Sequence, residues 1–192
     1  MNVPDHPGNA ASRRTSGKNI GEDVFSFTPY HAWGPDKGSR TCPVCKYGWF
    51  HGVLYFVGST PDWAEIRQWL RFLEGESITR GDRLKVYFVY GDPNGYSRQA
   101  RERALEEVGR ELQLTKVALT FVPSFEDTES DVHLNRIDPE VGNTFIIFRR
   151  STVVGNFVGL KPTQENFSRI TRRLDATSNE YDDLPRAGTG AH

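Results

Sequence analysis

Short apolar runs alternate along this chain with segments of helical periodicity. Two of the runs, residues 52–57 and 84–90, are almost entirely apolar or aromatic, which is typical of strands that are covered on both faces. Between them, apolar residues recur at spacings of three and four from Trp63 to Leu73, which predicts an amphipathic helix. This alternation predicts parallel strands joined by helical crossovers, and so an α/β sheet with helices on both faces.

The remaining elements follow from the same kind of pattern. Thr60 and Pro61 are predicted to supply the N-cap and first turn of the first long helix, and Ser97 and Thr163 to cap two later ones. An apolar run at 117–122 predicts a third strand. Two further runs, 144–148 and 152–157, are separated by three residues, which predicts a hairpin.

The two ends of the chain are polar and show no period. We therefore predict a disordered N-terminal arm over residues 1–22, one folded domain over 23–174 and a disordered tail over 175–192. The first residues show no secretory pattern and no apolar run approaches the roughly 20 residues that span a bilayer, which predicts a cytoplasmic protein without a membrane span. The formal net charge of −1 argues against a nucleic-acid partner.

A resemblance to a known superfamily rests on the segment from Asp23 to Trp33 and on the element order. That segment contains Phe27-Thr28-Pro29 and is followed by a Gly-containing turn at 34–38, as in the N-terminal extension of redoxins. The order strand, helix, strand, helix, strand, hairpin, helix resembles the thioredoxin-like superfamily over residues 23–174. The resemblance implies a thioredoxin-like fold: a central mixed β-sheet flanked by helices, with an N-terminal extension. It also implies thiol–disulfide chemistry with a protein thiol or disulfide partner.

The chain has two cysteines, and both belong to the tetrapeptide Cys42-Pro43-Val44-Cys45. Two residues between the sulfurs allow them to form a disulfide or to bind one metal ion. Arg40 and Lys46 flank the pair, and a nearby cation favours the reactive thiolate. We therefore predict a thiol–disulfide oxidoreductase in which Cys42 attacks, Cys45 resolves the mixed disulfide and His31 shuttles the proton. Such exchange requires no cofactor.

The pair is displaced from the position that the resemblance implies. In thioredoxins the two cysteines follow the first central strand, where this chain has Ser59-Thr60-Pro61-Asp62. Here they precede that strand. The family's cis-proline is replaced as well, because Gly142 and Asn143 precede the strand that begins at Thr144.

Two other functions remain open at this point. Cys42, Cys45, His31 and His51 together form a ligand set that Zn(II) accepts, and the two thiolates alone suit Cu(I). Alternatively, the protein is a non-catalytic interaction module of thioredoxin-like fold in which the pair only fixes the extension. Trp33, Tyr47 and Trp49 are candidates for the wall of a pocket around the sulfurs, or for a small apolar cluster that covers the sheet.

Arginines and glutamates alternate between residues 98 and 111. The pattern predicts a helix face whose charges pair with one another, rather than a surface for nucleic acid.

Overall fold

The computed structural model describes residues 14–47 and 50–178 of the 192-residue chain. No helix within these ranges is long and apolar enough to cross a membrane. The described residues form six strands and four α-helices. In chain order these are β1 (Tyr30–Trp33), α1 (Pro43–Tyr47), β2 (His51–Val57), α2 (Trp63–Arg80), β3 (Leu84–Tyr90), α3 (Arg98–Leu112), β4 (Ala118–Phe121), β5 (Thr144–Arg149), β6 (Thr152–Val158) and α4 (Gln164–Ser178).

The six strands form one mixed sheet in the order β1-β4-β3-β2-β5-β6. The pairs β2–β3 and β3–β4 are parallel, and the pairs β1–β4, β2–β5 and β5–β6 are antiparallel. In the centre of the sheet, Val53 of β2 lies between Val86 of β3 and Ile147 of β5. All seven residues of β2 are buried, as its continuous apolar sequence predicts. The predicted mixed sheet is confirmed.

The three long helices cover the same face of the sheet. The chain moves from β2 to β3 and then from β3 to β4 in one direction across the sheet. Because such crossovers are almost always right-handed, both connecting helices lie on the same side. Leu70 of α2, Leu105 of α3 and Ile170 of α4 accordingly belong to one core cluster with Val53 and Tyr55 of β2. We call this side the helical face.

The opposite side is covered by irregular chain and by α1, and we call it the extension face. Leu54 and Phe56 of β2 point to it, since successive side chains of a strand alternate between faces. They pack in a second core cluster with Phe27 of the extension, Val44 of α1 and Phe125 of the segment between β4 and β5. Helices therefore lie on both faces, but α1 is only five residues long.

Two of the three predicted caps are in place. Ser97 accepts a hydrogen bond from a first-turn backbone N–H of α3, and Thr163 does the same for α4. The predicted cap at Thr60 is wrong. Asp62 is the N-cap of α2, and its carboxylate accepts two backbone N–H groups at 3.1 Å, because a short carboxylate side chain reaches both donors at once.

Residues 14–22 lie against the sheet. The Ser16 hydroxyl is buried 2.7 Å from the Thr144 hydroxyl, and the Gly21 N–H donates to the Val153 carbonyl at 2.9 Å. β6 is an edge strand with backbone groups to satisfy, and this segment satisfies part of that edge.

The structure describes only part of the predicted arm and only part of the predicted tail. Most of the predicted arm, residues 1–13, lies outside the described residues, as do residues 179–192 of the predicted tail. At the C-terminal end, α4 continues through Ser178, four residues beyond the predicted end of the domain at Leu174.

Candidate functional site

The two cysteines lie at the start of α1 and form a disulfide with each other. Their Cα atoms are 5.3 Å apart, inside the range that disulfides span. Pro43 occupies the first position of the helix, as its fixed φ angle predicts. Cys42 immediately precedes the helix, and its Sγ accepts the Cys45 backbone N–H at 3.1 Å. A donor in this position favours the thiolate of Cys42 when the pair is reduced.

The two sulfur-bearing residues differ in access. Cys42 is half-buried and packs against the core cluster of the extension face, whereas Cys45 is exposed. Tyr47, at the end of the same helix, packs against Tyr87 of β3 and Phe50. The disulfide therefore lies at the surface, on a short helix whose other side is held by aromatic packing.

His31 lies on the extension face behind the pair. Its ring meets the ring of Tyr87 edge-on, with centroids 6.1 Å apart, and the side chain is buried. The Nε2 atom is 2.8 Å from the Thr41 carbonyl. A carbonyl can only accept, so Nε2 carries the proton and donates. His31 thus positions the residue that precedes Cys42.

Burial keeps the His31 ring neutral. Desolvation is the main influence and lowers its pKa below the ordinary value, although the bond to Thr41 and the Asp36 carboxylate oppose this shift. The Nδ1 atom is buried and has no hydrogen-bond partner among the described residues. A neutral ring with the proton on Nε2 leaves a lone pair on Nδ1. That atom is the one through which His31 could exchange a proton.

The two predicted flanking cations both bond to residues other than the cysteines. Lys46 follows Cys45, and its ammonium donates to the Asp36 carboxylate at 2.7 Å; this hydrogen bond is the main reason that the pKa of Lys46 is raised. Arg40 instead donates to the Thr28 carbonyl and stacks on the Tyr30 ring. Both side chains are therefore committed to other partners, the Asp36 carboxylate and the Thr28 carbonyl.

His51 does not join the pair. It is the first residue of β2, and its side chain points to the helical face, like those of Val53 and Tyr55. There its Nε2 is 2.8 Å from the Thr177 hydroxyl of α4. The cysteines lie on the extension face, so the sheet separates them from His51.

The structure therefore does not bring the four predicted metal ligands together. Within residues 14–47 and 50–178, no group of three or more His, Cys, Asp or Glu side chains is placed to hold a metal ion. His51 lies across the sheet from the cysteines. The strand alternation that separates them was visible in the sequence, but the face on which the cysteines pack was not.

Two of the three predicted aromatic residues lie on opposite faces of the sheet. Tyr47 lies on the extension face with the pair. Trp33 lies on the helical face, where its Nε1 donates to the Leu114 carbonyl at 2.8 Å. Trp49 lies outside the described residues.

Another prediction fails on α3. Arg101 was expected on an ion-paired surface, but it is 9% exposed and donates to the Asp92 backbone carbonyl at 3.0 Å. The ion pairs that α3 forms are with other elements, such as Glu106 with Lys37 and Glu111 with Arg67. The alternating charges do not reveal that Arg101 is buried, because its contact with the Tyr90 ring is formed only in the folded protein.

Comparison with solved structures decides the fold. A DsbF homologue from Corynebacterium diphtheriae superposes with a TM-score of 0.58 at 13% identity, covering 90% of this chain and 99% of that one. A thiol peroxidase from Chromobacterium violaceum superposes at 0.54 and 14% identity, covering 85% and 90% of the two chains. An uncharacterized conserved protein from Geobacillus kaustophilus gives 0.63 and 14%, covering 88% and 86%.

The chain has a thioredoxin-like fold. No protein-family model and no curated protein matches the sequence. Within this thioredoxin-like domain, the loop between β2 and α2 carries no cysteine, and no peptide bond of the described residues is cis, including the one before Thr144. The disulfide lies instead on the extension face, at the start of the helix whose Tyr47 packs against Tyr87 of β3.

Proposed function

We propose that this protein is a thiol–disulfide oxidoreductase that uses Cys42 and Cys45 as its redox couple. The observation that carries the proposal is the surface disulfide of this Cys-x-x-Cys pair, with the Cys45 N–H directed at the Cys42 sulfur. The thioredoxin-like fold supports it, because two of the similar structures are described as a DsbF homologue and a thiol peroxidase.

The exchange balances without a further reactant. In the reduced protein, the Cys42 thiolate attacks one sulfur of a partner disulfide, forming a mixed disulfide and releasing the partner's other sulfur as a thiolate that takes up a proton. The Cys45 thiolate then attacks the Cys42 sulfur and releases the second partner thiol. The partner gains two electrons, and the protein ends with the disulfide that the structure shows.

Stability is a weak reason for this disulfide. It closes a loop of four residues, and the chain-entropy relation gives about 2 kcal/mol for so short a loop, compared with about 3 kcal/mol for a loop of fifteen residues. Exposed disulfides are also the ones that exchange most readily. Both arguments favour a reactive pair.

We propose His31 chiefly as a positioning residue, since its Nε2–H is committed to Thr41. The proton-shuttle role would use Nδ1. The dithiol itself carries the electrons, so we propose no resident metal or organic cofactor. The partner would be a protein thiol or disulfide that reaches the half-buried Cys42 sulfur beside the exposed Cys45. The cytoplasmic location stays a prediction.

The test is a redox titration with single-cysteine variants. The protein, purified without reductant, is equilibrated in thiol buffers and its free thiols are counted by alkylation and mass spectrometry. We expect a midpoint within the range of dedicated exchange proteins, roughly −120 to −270 mV, and insulin reduction that the Cys42→Ser/Cys45→Ser variant lacks.

The single variants assign the roles. With a disulfide reagent such as an aromatic disulfide, Cys45→Ser should retain a mixed disulfide on Cys42, and Cys42→Ser should trap less. The reverse result would exchange the two roles but keep the function. Insulin reduction that is equal in the double variant and the natural protein would contradict the function itself.

A further inference from the structure

Two arginines at one edge of the sheet have no part in the exchange chemistry described above. Arg40 and Arg98 are exposed, and both guanidinium groups lie over the ring of Tyr30, at 4.5 Å and 4.4 Å from its centroid. Tyr30 begins the edge strand β1, and its ring stacks on Phe121 of the neighbouring strand β4. We call Tyr30, Arg40 and Arg98 the arginine patch.

The positive charges of the arginine patch are not matched within the described part of the fold. Neither guanidinium forms an ion pair with a carboxylate of the described residues. Arg40 donates to the Thr28 carbonyl through Nε and Nη2, and Arg98 donates no side-chain hydrogen bond within residues 14–47 and 50–178. Two like charges beside one ring repel each other, so an anion that binds both relieves this repulsion.

The Tyr30 ring holds the two side chains without using up their donors. An aromatic ring attracts the positive charge of a guanidinium, and its N–H groups need not take part. The donors that remain are available to carboxylates, which arginine binds through two parallel hydrogen bonds. Because the ring already restricts both side chains, binding costs them less conformational freedom. Arginine and tyrosine are also enriched at the energetic centres of protein interfaces.

Arg40 connects the patch to the redox pair. It precedes Cys42 by two residues, and two residues of chain span at most about 7 Å. The chain here is fixed to β1, since the His31 N–H donates to the Ser39 carbonyl and the ring Nε2 donates to the Thr41 carbonyl. The fold therefore sets the separation between the patch and Cys42.

The edge of the sheet brings the patch and the pair within reach of one ligand. The Tyr30 ring packs with the helical face, and Cys42 packs with the extension face. Because β1 is an edge strand, a polypeptide can pass around that edge from one to the other. We propose that the arginine patch binds an acidic segment of the partner protein and so places a neighbouring disulfide at Cys42. This role rests on the exchange function proposed above, and it defines the substrate class as protein disulfides flanked by aspartate or glutamate.

The first experiment measures exchange with two synthetic peptides. Each contains a single cysteine as its 2-pyridyl disulfide, flanked by glutamates in one peptide and by glutamines in the other. The Cys42 thiolate attacks the peptide sulfur and releases pyridine-2-thione, which is followed by its absorbance, and Cys45 then attacks the Cys42 sulfur and frees the peptide thiol. Each rate constant is divided by that of the same peptide with dithiothreitol, which removes the intrinsic difference between the peptides.

The reduced protein should react faster with the glutamate peptide. We expect a preference of at least about threefold at low ionic strength, and no preference at about 1 M salt. Arg98→Gln should remove most of this preference, and it changes no residue next to a cysteine. Arg103→Gln is the matched control, because Arg103 is an exposed arginine of the same helix that lies outside the patch.

The second experiment tests binding in the absence of exchange. The glutamate peptide with serine in place of cysteine is titrated into the isotope-labelled Cys42→Ser/Cys45→Ser variant, and binding is followed by NMR. We expect saturable shifts of the Tyr30 and Arg40 amides. Adding Arg98→Gln to this variant should weaken binding at least about threefold, and adding Arg103→Gln should not.

The outcomes separate the docking surface from the exchange function. Equal normalised rates with the two peptides, or equal effects of Arg98→Gln and Arg103→Gln, would overturn the docking surface and leave the exchange function in place. The absence of saturable shifts, or the same shifts with sodium phosphate at matched ionic strength, would also overturn it. Release of pyridine-2-thione no faster than in the Cys42→Ser/Cys45→Ser variant would contradict the exchange function, and the NMR titration would then still decide whether the patch binds an acidic segment.

Discussion

Lowering the pH should destabilise this fold through His51, the first residue of β2. The ring is buried beside α4, and its Nε2 is bonded to the Thr177 hydroxyl. Burial is the main cause that lowers its pKa from 6.5 to about 4, and the positive charges of Arg80 and Arg149 add to the effect. The folded protein therefore keeps this histidine neutral over a range in which the unfolded chain protonates it.

The sign and size follow from that difference. Between pH 6.5 and about 4 the unfolded state binds more protons, so the free energy of unfolding falls as the pH falls. The contribution is fully present above pH 6.5. With these two pKa values, the loss is about 2 kcal/mol by about pH 5 and about 3 kcal/mol by about pH 4.

The assay compares urea unfolding of the natural protein and His51→Gln at about pH 8, 6 and 5. Glutamine does not titrate, and its amide can still bond Thr177. Between about pH 8 and 5, the free energy of unfolding should fall by about 2 kcal/mol more in the natural protein than in the variant. A His51→Gln variant that loses as much stability on acidification as the natural protein would refute the reasoning.

Two further predictions concern single side chains of the helical face. The buried Glu74 carboxylate accepts hydrogen bonds from the backbone N–H groups of residues 115–117. Glu74→Ala should therefore lower the free energy of unfolding in urea by about 3 kcal/mol or more. A decrease below about 1 kcal/mol would contradict the role of these bonds. A Cβ at Gly109 would come within 2.4 Å of the Trp33 ring, so Gly109→Ala should lower the free energy of unfolding by about 1–3 kcal/mol. The control is Gly75→Ala on α2, where a Cβ would meet no atom of the described residues within 4 Å. This change should be neutral or should raise the free energy of unfolding by up to about 1 kcal/mol. Similar thermal unfolding of the two alanine variants would count against tight packing at Trp33.

Much of the fold could be predicted from the sequence because its signals are local. The unbroken apolar run of β2 predicts a strand that is buried on both faces, and its seven residues are all buried. Ser97 predicts the start of α3 because a serine cap needs only the N–H groups of the next turn. The hairpin between β5 and β6 is predicted in the same way. Only three residues separate the two apolar runs, so the second strand pairs with the first.

The candidate site was predicted only in part. The spacing of Cys42 and Cys45 allows the disulfide that the structure shows, although it allows a metal site equally well. The bond from His31 to Thr41 could not be predicted, because the two residues are ten positions apart in the chain. The closeness of His51 to the cysteines in sequence suggests a shared site, but its side chain lies on the other face of the sheet. The charged neighbours of Arg101 in the sequence indicate a surface position, whereas the side chain is buried.

The sequence by itself determined the order of the central strands and the long helices, since periodicity and capping depend on residues within one or two turns of each other. Only the tertiary structure decided which face of the sheet each side chain meets. That choice sets the cysteines and His31 on one face, and His51 and Arg101 on the other. The physical reason is that burial depends on elements that are distant in the chain and become neighbours only in the folded sheet. The pKa shifts of His31 and His51 depend on that burial.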